Sequence, residues 1–434
     1  MKKQILTILK NPVFFSSAIM VLGSNATNFL NYVYHFVIGR LLGPSSYGEL
    51  VALISLIGLL GILPTSLNLV VIKFVSSAKN EKEIKNLAGW FQEKTFLTSL
   101  LMFVLVVLAS GIISNFLKIQ DTLLVIIAAS TFLFSLPTLL NRSILQGILK
   151  FKEYVFSMLA ENSIKLILGG VFVYLGFSVL GALVGLLISM AIGLIISRNY
   201  IKDFFGKNKA DSPKISPLLI YSIPVILYSL AQTSFYTTDL ILVKHFFSSH
   251  DAGIYASLST LGKIIFFGTA PIGAVMFPFI SNRQSKGKNY LKIFLISLLL
   301  TLAVSLIILM LYLLAPILVI NILYGSLYTG ADNLLIWFGV FIALFSLVNL
   351  FVSFYLSIGK IRIVALPIIA AMLQAVAIWF YHQDLKEVIF VSIIITALLL
   401  LSLFVYFACE TLKQVKKTSN LSNSSSIQTR KNNS

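Results

Sequence analysis

Four ionisable side chains stand in stretches of this sequence that are otherwise apolar for tens of residues. Glu161 and Lys165, in "LAENSIKLILGG", are four apart with the acid first, so on a helix they share a face and can meet. Asp239 and Lys263 flank the turn in "VKHFFSSHDAGIY", one about eight residues before the end of the apolar run that precedes it, near 247, and the other about eleven after the start of the next, near 252, so at 1.5 Å per residue their depths differ by only a few ångströms. Two chemistries suit such groups. Each acid and base could form an internal ion pair that lowers the cost of burial. Alternatively the lysines could attract an anion such as a diphosphate while the carboxylates Glu161 and Asp239 take up Na+ or H+. Uncharged polar residues add to this: Asn25, Asn28, Asn31 and His35 fall on one helical stripe, and Gln232, Tyr236 and Asp239 make a second. Such stripes serve either as hydrogen-bonding contacts between helices or as the wall of a polar lumen whose donors and acceptors meet sugar hydroxyls. His35 could carry protons, although a lone His on a helix is more often a structural hydrogen-bonder.

The elements that must hold these residues follow from composition. Hydrophobic residues make up 58% of the 434 and charged residues 11%, too little polar surface for a water-soluble globule of this size. Apolar windows of about twenty residues, the length needed to cross a hydrocarbon core as a helix, recur along nearly the whole chain. They are too long and too continuously apolar for barrel strands. Twelve spans are expected, near 13–39, 47–71, 95–115, 121–146, 154–176 and 178–198, then near 217–247, 252–281, 291–314, 330–357, 363–382 and 387–411. In such a bilayer frame a charged side chain at mid-depth costs on the order of 2.5–3.5 kcal/mol, so Glu161, Lys165, Asp239 and Lys263 should face protein or a wet cavity.

The basic residues provide a check on both count and orientation. Among the 33 Lys and Arg residues, four (Arg40, Lys118, Lys244 and Lys386) fall on loops of one side and two (Lys165 and Lys263) at membrane depth. The rest, Arg142 among them, lie on segments of the other side, which is therefore the cytoplasmic one, with both termini. The net charge of +18 then faces the cytoplasm and anionic lipid heads rather than nucleic acid. The start, "MKKQILTILKNP", leads into further spans and does not read as a cleaved signal. Cys409 is the single cysteine, which excludes an intramolecular disulfide.

The organisation expected is an N-terminal six-helix lobe over residues 1–198, a Lys-rich cytoplasmic linker over 199–216, a C-terminal six-helix lobe over 217–411 and a disordered cytoplasmic tail over 412–434. "NEKEIKNLAGW" (80–90) is either a short interfacial helix or a solvated charged loop. A shift of 205 lays Gly48 on Gly253, Leu53 on Leu258, Ala52 on Ser257 and Arg40 on His245, and brings Pro64 near the position of Pro271. Six is an even number, so two such sets enter the membrane in the same orientation, as a parallel repeat about an axis along the membrane normal.

Three stretches, "GRLLGPSSYGELVALISLIGLLGILP", "YTTDLILVKHFFSSHDAGIYASLSTLGKII" and "PIGAVMFPFIS", resemble the O-antigen type of polysaccharide flippase in the multidrug, oligosaccharidyl-lipid and polysaccharide exporter superfamily. The likeness extends in outline over roughly residues 10 to 410. It implies an all-α, V-shaped transporter with two six-helix lobes around a cavity that opens alternately to either face. The implied substrate is an undecaprenyl-diphosphate-linked oligosaccharide, and the implied place is the prokaryotic cytoplasmic membrane. An Asp recurs in that family at the place of Asp239, and a basic residue in the eighth helix belongs to the cationic cavity of the peptidoglycan-precursor relatives, a role Lys263 would fill.

The expected function is to flip such a lipid outward, driven by an ion gradient or the membrane potential. Lys165 and Lys263 would hold the diphosphate, and Asn25, Asn28, Asn31, Gln232 and Tyr236 would contact the sugar. Asp239 and Glu161 would be the ion-coupling candidates, glycan-assembly enzymes are possible partners, and no cofactor is expected. A drug exporter of the same superfamily is the main rival: it needs unpaired acids for a cation, whereas a diphosphate carrier needs unpaired lysines. An integral-membrane glycan polymerase or glycosyltransferase is a third class, disfavoured by short outer loops and by the lack of paired carboxylates, a nucleotide-phosphate loop or metal-ligand spacing.

Overall fold

The computed structural model describes residues 12–62, 64, 68–204 and 216–431. The basic first residues and most of the linker expected at 199–216 lie outside the described residues, as do the side chains after Cys409. All the regular structure described is helical: α1 (Pro12–Leu60), α2 (Asn68–Ser77), α3 (Glu81–Leu108), α4 (Ser110–Phe116), α5 (Thr122–Gly147), α6 (Phe151–Phe172), α7 (Ser178–Ile201), α8 (Ser216–Phe235), α9 (Thr238–Phe246), α10 (Ser249–Ser285), α11 (Leu291–Leu314), α12 (Pro316–Leu323), α13 (Asp332–Ser357), α14 (Ala365–Phe380) and α15 (Leu385–Lys431). The expected tail at 412–434 overlaps the last turns of α15, where only the backbone is described.

Nine helical stretches among the described residues are long and apolar enough to cross a membrane, and two of them fold back on themselves. In α1, Gly43 adopts φ 69° and Pro44 follows it, so the first arm ends and the second starts afresh. The proof of reversal is a contact: His35 Nδ1 lies 3.1 Å from the Tyr47 hydroxyl, whereas residues twelve apart on a straight helix stand about 18 Å apart. Between α6 and α7 a π-helical stretch, Val173–Phe177, contains Gly176 at φ 94°. There too the chain turns back, bringing Gly169 and Gly185 so close that a Cβ on Gly185 would stand 2.6 Å from the Gly169 nitrogen. Small residues at a membrane helix crossing allow that approach. With the α8–α9 pair, these reversals give the twelve crossings expected.

Helix starts are capped by the residues the sequence provides. Asn80 accepts from the Glu83 amide, Asp121 from Leu123 and Ser248 from Asp251. One expectation changes here. "NEKEIKNLAGW" is neither a separate interfacial helix nor a loop; it is the beginning of α3, which continues unbroken into the third span, with Leu87, Ala88 and Phe91 buried.

Each half of the chain carries its own apolar core. One gathers Tyr34, Ile38, Leu53, Ala128, Phe132 and Leu183; the other gathers Leu258, Phe294, Phe338, Phe351 and Tyr355. They are stitched together by the two matched turns. A Cβ on Gly48 would lie 2.6 Å from the Gly253 nitrogen and 2.9 Å from the Ser249 carbonyl oxygen, and one on Gly253 would lie 1.8 Å from the Pro44 carbonyl oxygen. Gly253 and Ser249 are Gly48 and Pro44 shifted by 205, so the contact is reciprocal, as residues near a two-fold axis must be. The hydrogen bonds obey the same operator. Arg40 donates to the Asn321 carbonyl (2.7 Å), and its mate His245 contacts the Phe116 carbonyl (2.7 Å), where 116 and 321 again differ by 205. The parallel repeat is thus a property of the contacts as well as of the chain order.

Candidate functional site

Most of what joins the halves sits at the end of the bundle marked by Gly43. Tyr47 bonds both Thr260 (3.2 Å) and Tyr324 (3.1 Å), and the Tyr328 hydroxyl donates to the Gly39 carbonyl (2.7 Å). Lys244 donates to Ser249 (2.7 Å) and lies 3.9 Å from the Glu49 carboxylate of the other half. Lys244, which the sequence reading placed on a loop, is in the last turn of α9 and buried. The opposite end, at the 147–151 and 285–291 turns, has no hydrogen bond of this kind among the described residues.

Below this seal a cavity of about 330 Å³ opens within the N-terminal half, with Asn31, His35, Thr131, Ser135 and Lys165 among its lining residues. Lys165 is held there by local sequence. One turn along α6, Gly169 leaves room for the Tyr34 ring, which a Cβ would meet at 2.9 Å. The Lys165 ammonium then rests 4.5 Å from the centre of that ring and donates to the Asn31 side-chain oxygen. Asn31 and Tyr34 lie three apart, hence on the same side of the first arm of α1.

Glu161 is not the partner of Lys165. Its carboxylate accepts from Arg142 at 2.7 Å, both side chains being largely buried, and Gly193 of α7 provides the space. Arg142 also grips the Ser157 carbonyl (2.9 Å) and hydroxyl. The sequence reading assigned Arg142 to a cytoplasmic segment, but it is one and a half turns inside α5. Asp239, fully buried, accepts from the Tyr255 hydroxyl (2.8 Å) and the Leu240 amide (2.8 Å). Lys263 sits over the Tyr236 ring at 5.1 Å instead of bridging to Asp239 within 4.0 Å. Neither lysine has a carboxylate within that distance among the described residues. His35 lines the cavity beside Lys165 and contacts the Tyr47 hydroxyl, which bonds Thr260, three residues before Lys263 on α10 of the other half.

The remaining expected residues divide. Gln232 donates to Asn349 (2.8 Å) in a separate cavity of about 210 Å³ in the C-terminal half. Tyr236 packs on Phe266 and Phe345. Asn25 and Asn28 are exposed further along α1, Asn25 bonded to the Val21 carbonyl, and neither lines the two cavities. Sequence reasoning passed over Tyr47, Tyr324, Thr260, Tyr228 and Asn349. Their only signal was a polar atom in an apolar run, which Tyr shares with any membrane aromatic.

The described residues form a helical bundle of two repeats in which Lys165 is sheltered in a cavity, and the fold is that of known membrane transporters. Residues 15–284 match the model of the polysaccharide biosynthesis protein family, to which this chain belongs. It is similar to the lipid II flippase MurJ in its inward closed conformation (TM-score 0.70, 16% identity, 89% of this chain and 87% of that one). It is also similar to a multidrug resistance MATE family transporter in an inward-facing conformation (TM-score 0.74, 14% identity, 88% and 95%). The likeness to an outward-facing MATE family transporter is looser (TM-score 0.59, 16% identity, 94% and 98%). An uncharacterized membrane protein of Methanocaldococcus jannaschii is 26% identical over 283 residues, covering 58% of this chain and 64% of that protein's length.

Proposed function

We propose that this transporter flips an undecaprenyl-diphosphate-linked oligosaccharide from the cytoplasmic to the outer face of a prokaryotic cytoplasmic membrane by alternating access. The observation that carries the reading is the allocation of partners at membrane depth: Glu161 and Asp239 are held by protein donors, whereas Lys165 and Lys263 are not matched by carboxylates. Two such cations, one from each half, attract a dianion, and a diphosphate is the dianion that lipid-linked sugars carry. A cation exporter needs the reverse allocation.

In this reading the Gly43 end faces outward and the basic loops face the cytoplasm. The form described is sealed outside, so the substrate head enters from the cytoplasmic end while its prenyl tail stays in lipid. Asn25 and Asn28 meet the sugar on the way in, and Asn31, Gln232 and Tyr236 meet it deeper. Separation of the halves about the Gly48–Gly253 contact then exposes the head to the other face. The diphosphate carries two negative charges, so a potential of 100 mV, negative inside, favours outward transfer by about 4–5 kcal/mol. Asp239 and Glu161 already accept hydrogen bonds from protein donors, so we take the membrane potential as the main driving force.

Binding separates the two transporter readings. Purified protein should bind polyprenyl diphosphate without any sugar, and Lys165→Gln or Lys263→Gln should weaken that binding at least tenfold, because each removes one of two charge-assisted contacts. Tight binding of a lipophilic organic cation, unaffected by either substitution, would favour the drug exporter instead.

A further inference from the structure

The C-terminal cavity is chemically unlike the lysine-bearing one, and the difference specifies a ligand. Its walls carry Tyr228, Gln232, Thr301, Ser346, Asn349 and Ser353, with no charged side chain among the lining residues. Resting on the flippase reading above, we infer that this cavity is a subsite for an uncharged sugar, the residue joined directly to the diphosphate.

Three observations support it. First, the polar groups are only partly spent on one another. Asn349 accepts from Tyr228 (2.6 Å) and Gln232 (2.8 Å) through one oxygen and turns its amide nitrogen to its own helix at Phe345. That arrangement leaves the Gln232 carbonyl oxygen and a lone pair on Tyr228 as acceptors, and a hexose hydroxyl offers donors to match. Second, Thr301 is among the lining residues at 1% exposure, and its hydroxyl has no hydrogen-bond partner among the described residues. A buried hydroxyl without a partner is unfavourable in the empty protein and is relieved when a ligand supplies one. Third, the position is right. Thr269, on the cavity wall, is six residues from Lys263 along α10, about 9 Å. Gln232 is one turn before Tyr236, whose ring Lys263 covers. A phosphate at Lys263 would therefore place the first sugar at this wall, where Phe266 offers an aromatic face to the ring's C–H side.

A carboxylated sugar does not fit this chemistry, since a buried anion needs a cation beside it and no charged side chain lines the wall. The cavity thus selects for a neutral hexose over a hexuronate at the first position.

The test compares three synthetic probes on purified full-length protein: bare polyprenyl diphosphate, the same lipid bearing a neutral hexose, and the same lipid bearing a hexuronate. The expected result is that the hexose probe binds about tenfold tighter than the bare lipid, the yield of two or three hydrogen bonds, and the hexuronate probe no tighter. Thr301→Val removes a hydroxyl that has no partner in the empty protein, so its melting temperature should hold while the hexose advantage falls several-fold. Gln232→Leu should remove most of that advantage. Equal binding of hexose and bare lipids, a preference for hexuronate, or a hexose advantage intact in both variants would overturn the subsite. Failure of bare lipid to bind would instead strike the diphosphate reading and, with it, the subsite built upon it.

Discussion

Lys165 shows how partner choice decides what a buried charge is for. The four-residue spacing to Glu161 put both groups on one face of a helix, and that much was legible in the sequence. Which of them would be satisfied was not, because the deciding residues are remote: Arg142 is 19 positions from Glu161 and Asn31 is 134 from Lys165. The consequence is a pair of opposite expectations. Lys165→Gln should leave the protein folded and at normal abundance, since Glu161 keeps its own partner, while transport falls at least tenfold. Arg142→Ala should strand a buried carboxylate at a cost of about 3 kcal/mol and lower the amount of protein recovered. Immunoblotting of membranes, alongside a transport measurement, checks both; equal loss of protein in the two variants would mean that Lys165 is structural after all. Lys244 teaches a related point. Its position beside a turn suggested a loop, yet a neighbouring helix from the other half, bearing Glu49, covers it.

Helices were the most readable level. Apolar length alone located the crossings, because lipid leaves the backbone no alternative. What length could not reveal is where a helix starts within a charged stretch, and α3 reaches back to Glu81 because Asn80 caps it and its Leu87–Phe91 face finds apolar neighbours. The tightest element contact is a sharper test of mechanism. Gly253 packs on the Pro44 backbone, and a methyl group there would meet the carbonyl oxygen at 1.8 Å, which a backbone cannot yield to without moving. Gly253→Ala should therefore part the halves at the Gly43 end. Spin labels at Leu41→Cys and Ile322→Cys, both exposed, in a Cys409→Ser background, should report a longer distance in that variant than in its parent. An unchanged distribution would show that the seal does not depend on this approach.

At the scale of the whole molecule the two-fold relation is the organising fact. A shift of 205 was visible in the sequence as a few matched small residues at two turns, a thin signal because identities at turns recur by chance. The structure adds what sequence lacks, the pairing of Gly48 with Gly253 and the twin bonds Arg40 to Asn321 and His245 to Phe116. Symmetry predicts that Arg40→Ala and His245→Ala loosen the seal at the Gly43 end to a similar degree, each raising the modification by a thiol reagent of a cysteine placed at the buried Ser257 in a Cys409→Ser background. A large effect from one and none from the other would show that the seal is one-sided. The lysines, by contrast, break the repeat: Lys263 falls 205 residues after Gly58, and Lys165 falls 205 before Ala370. The repeat therefore helped in reading the fold and gave no guide to the lysines.

The central claim is that two carboxylate-free lysines carry a lipid diphosphate across the membrane. Its most direct measurement is translocation of a fluorescent polyprenyl-diphosphate oligosaccharide in proteoliposomes of uniform orientation, with and without an imposed potential, for the parent and for Lys165→Gln and Lys263→Gln. The account predicts movement away from the face that carries the basic loops, faster when that side is negative and at least tenfold slower in either variant. Translocation at the parental rate in both variants, or a rate indifferent to the potential and to the diphosphate, would contradict it.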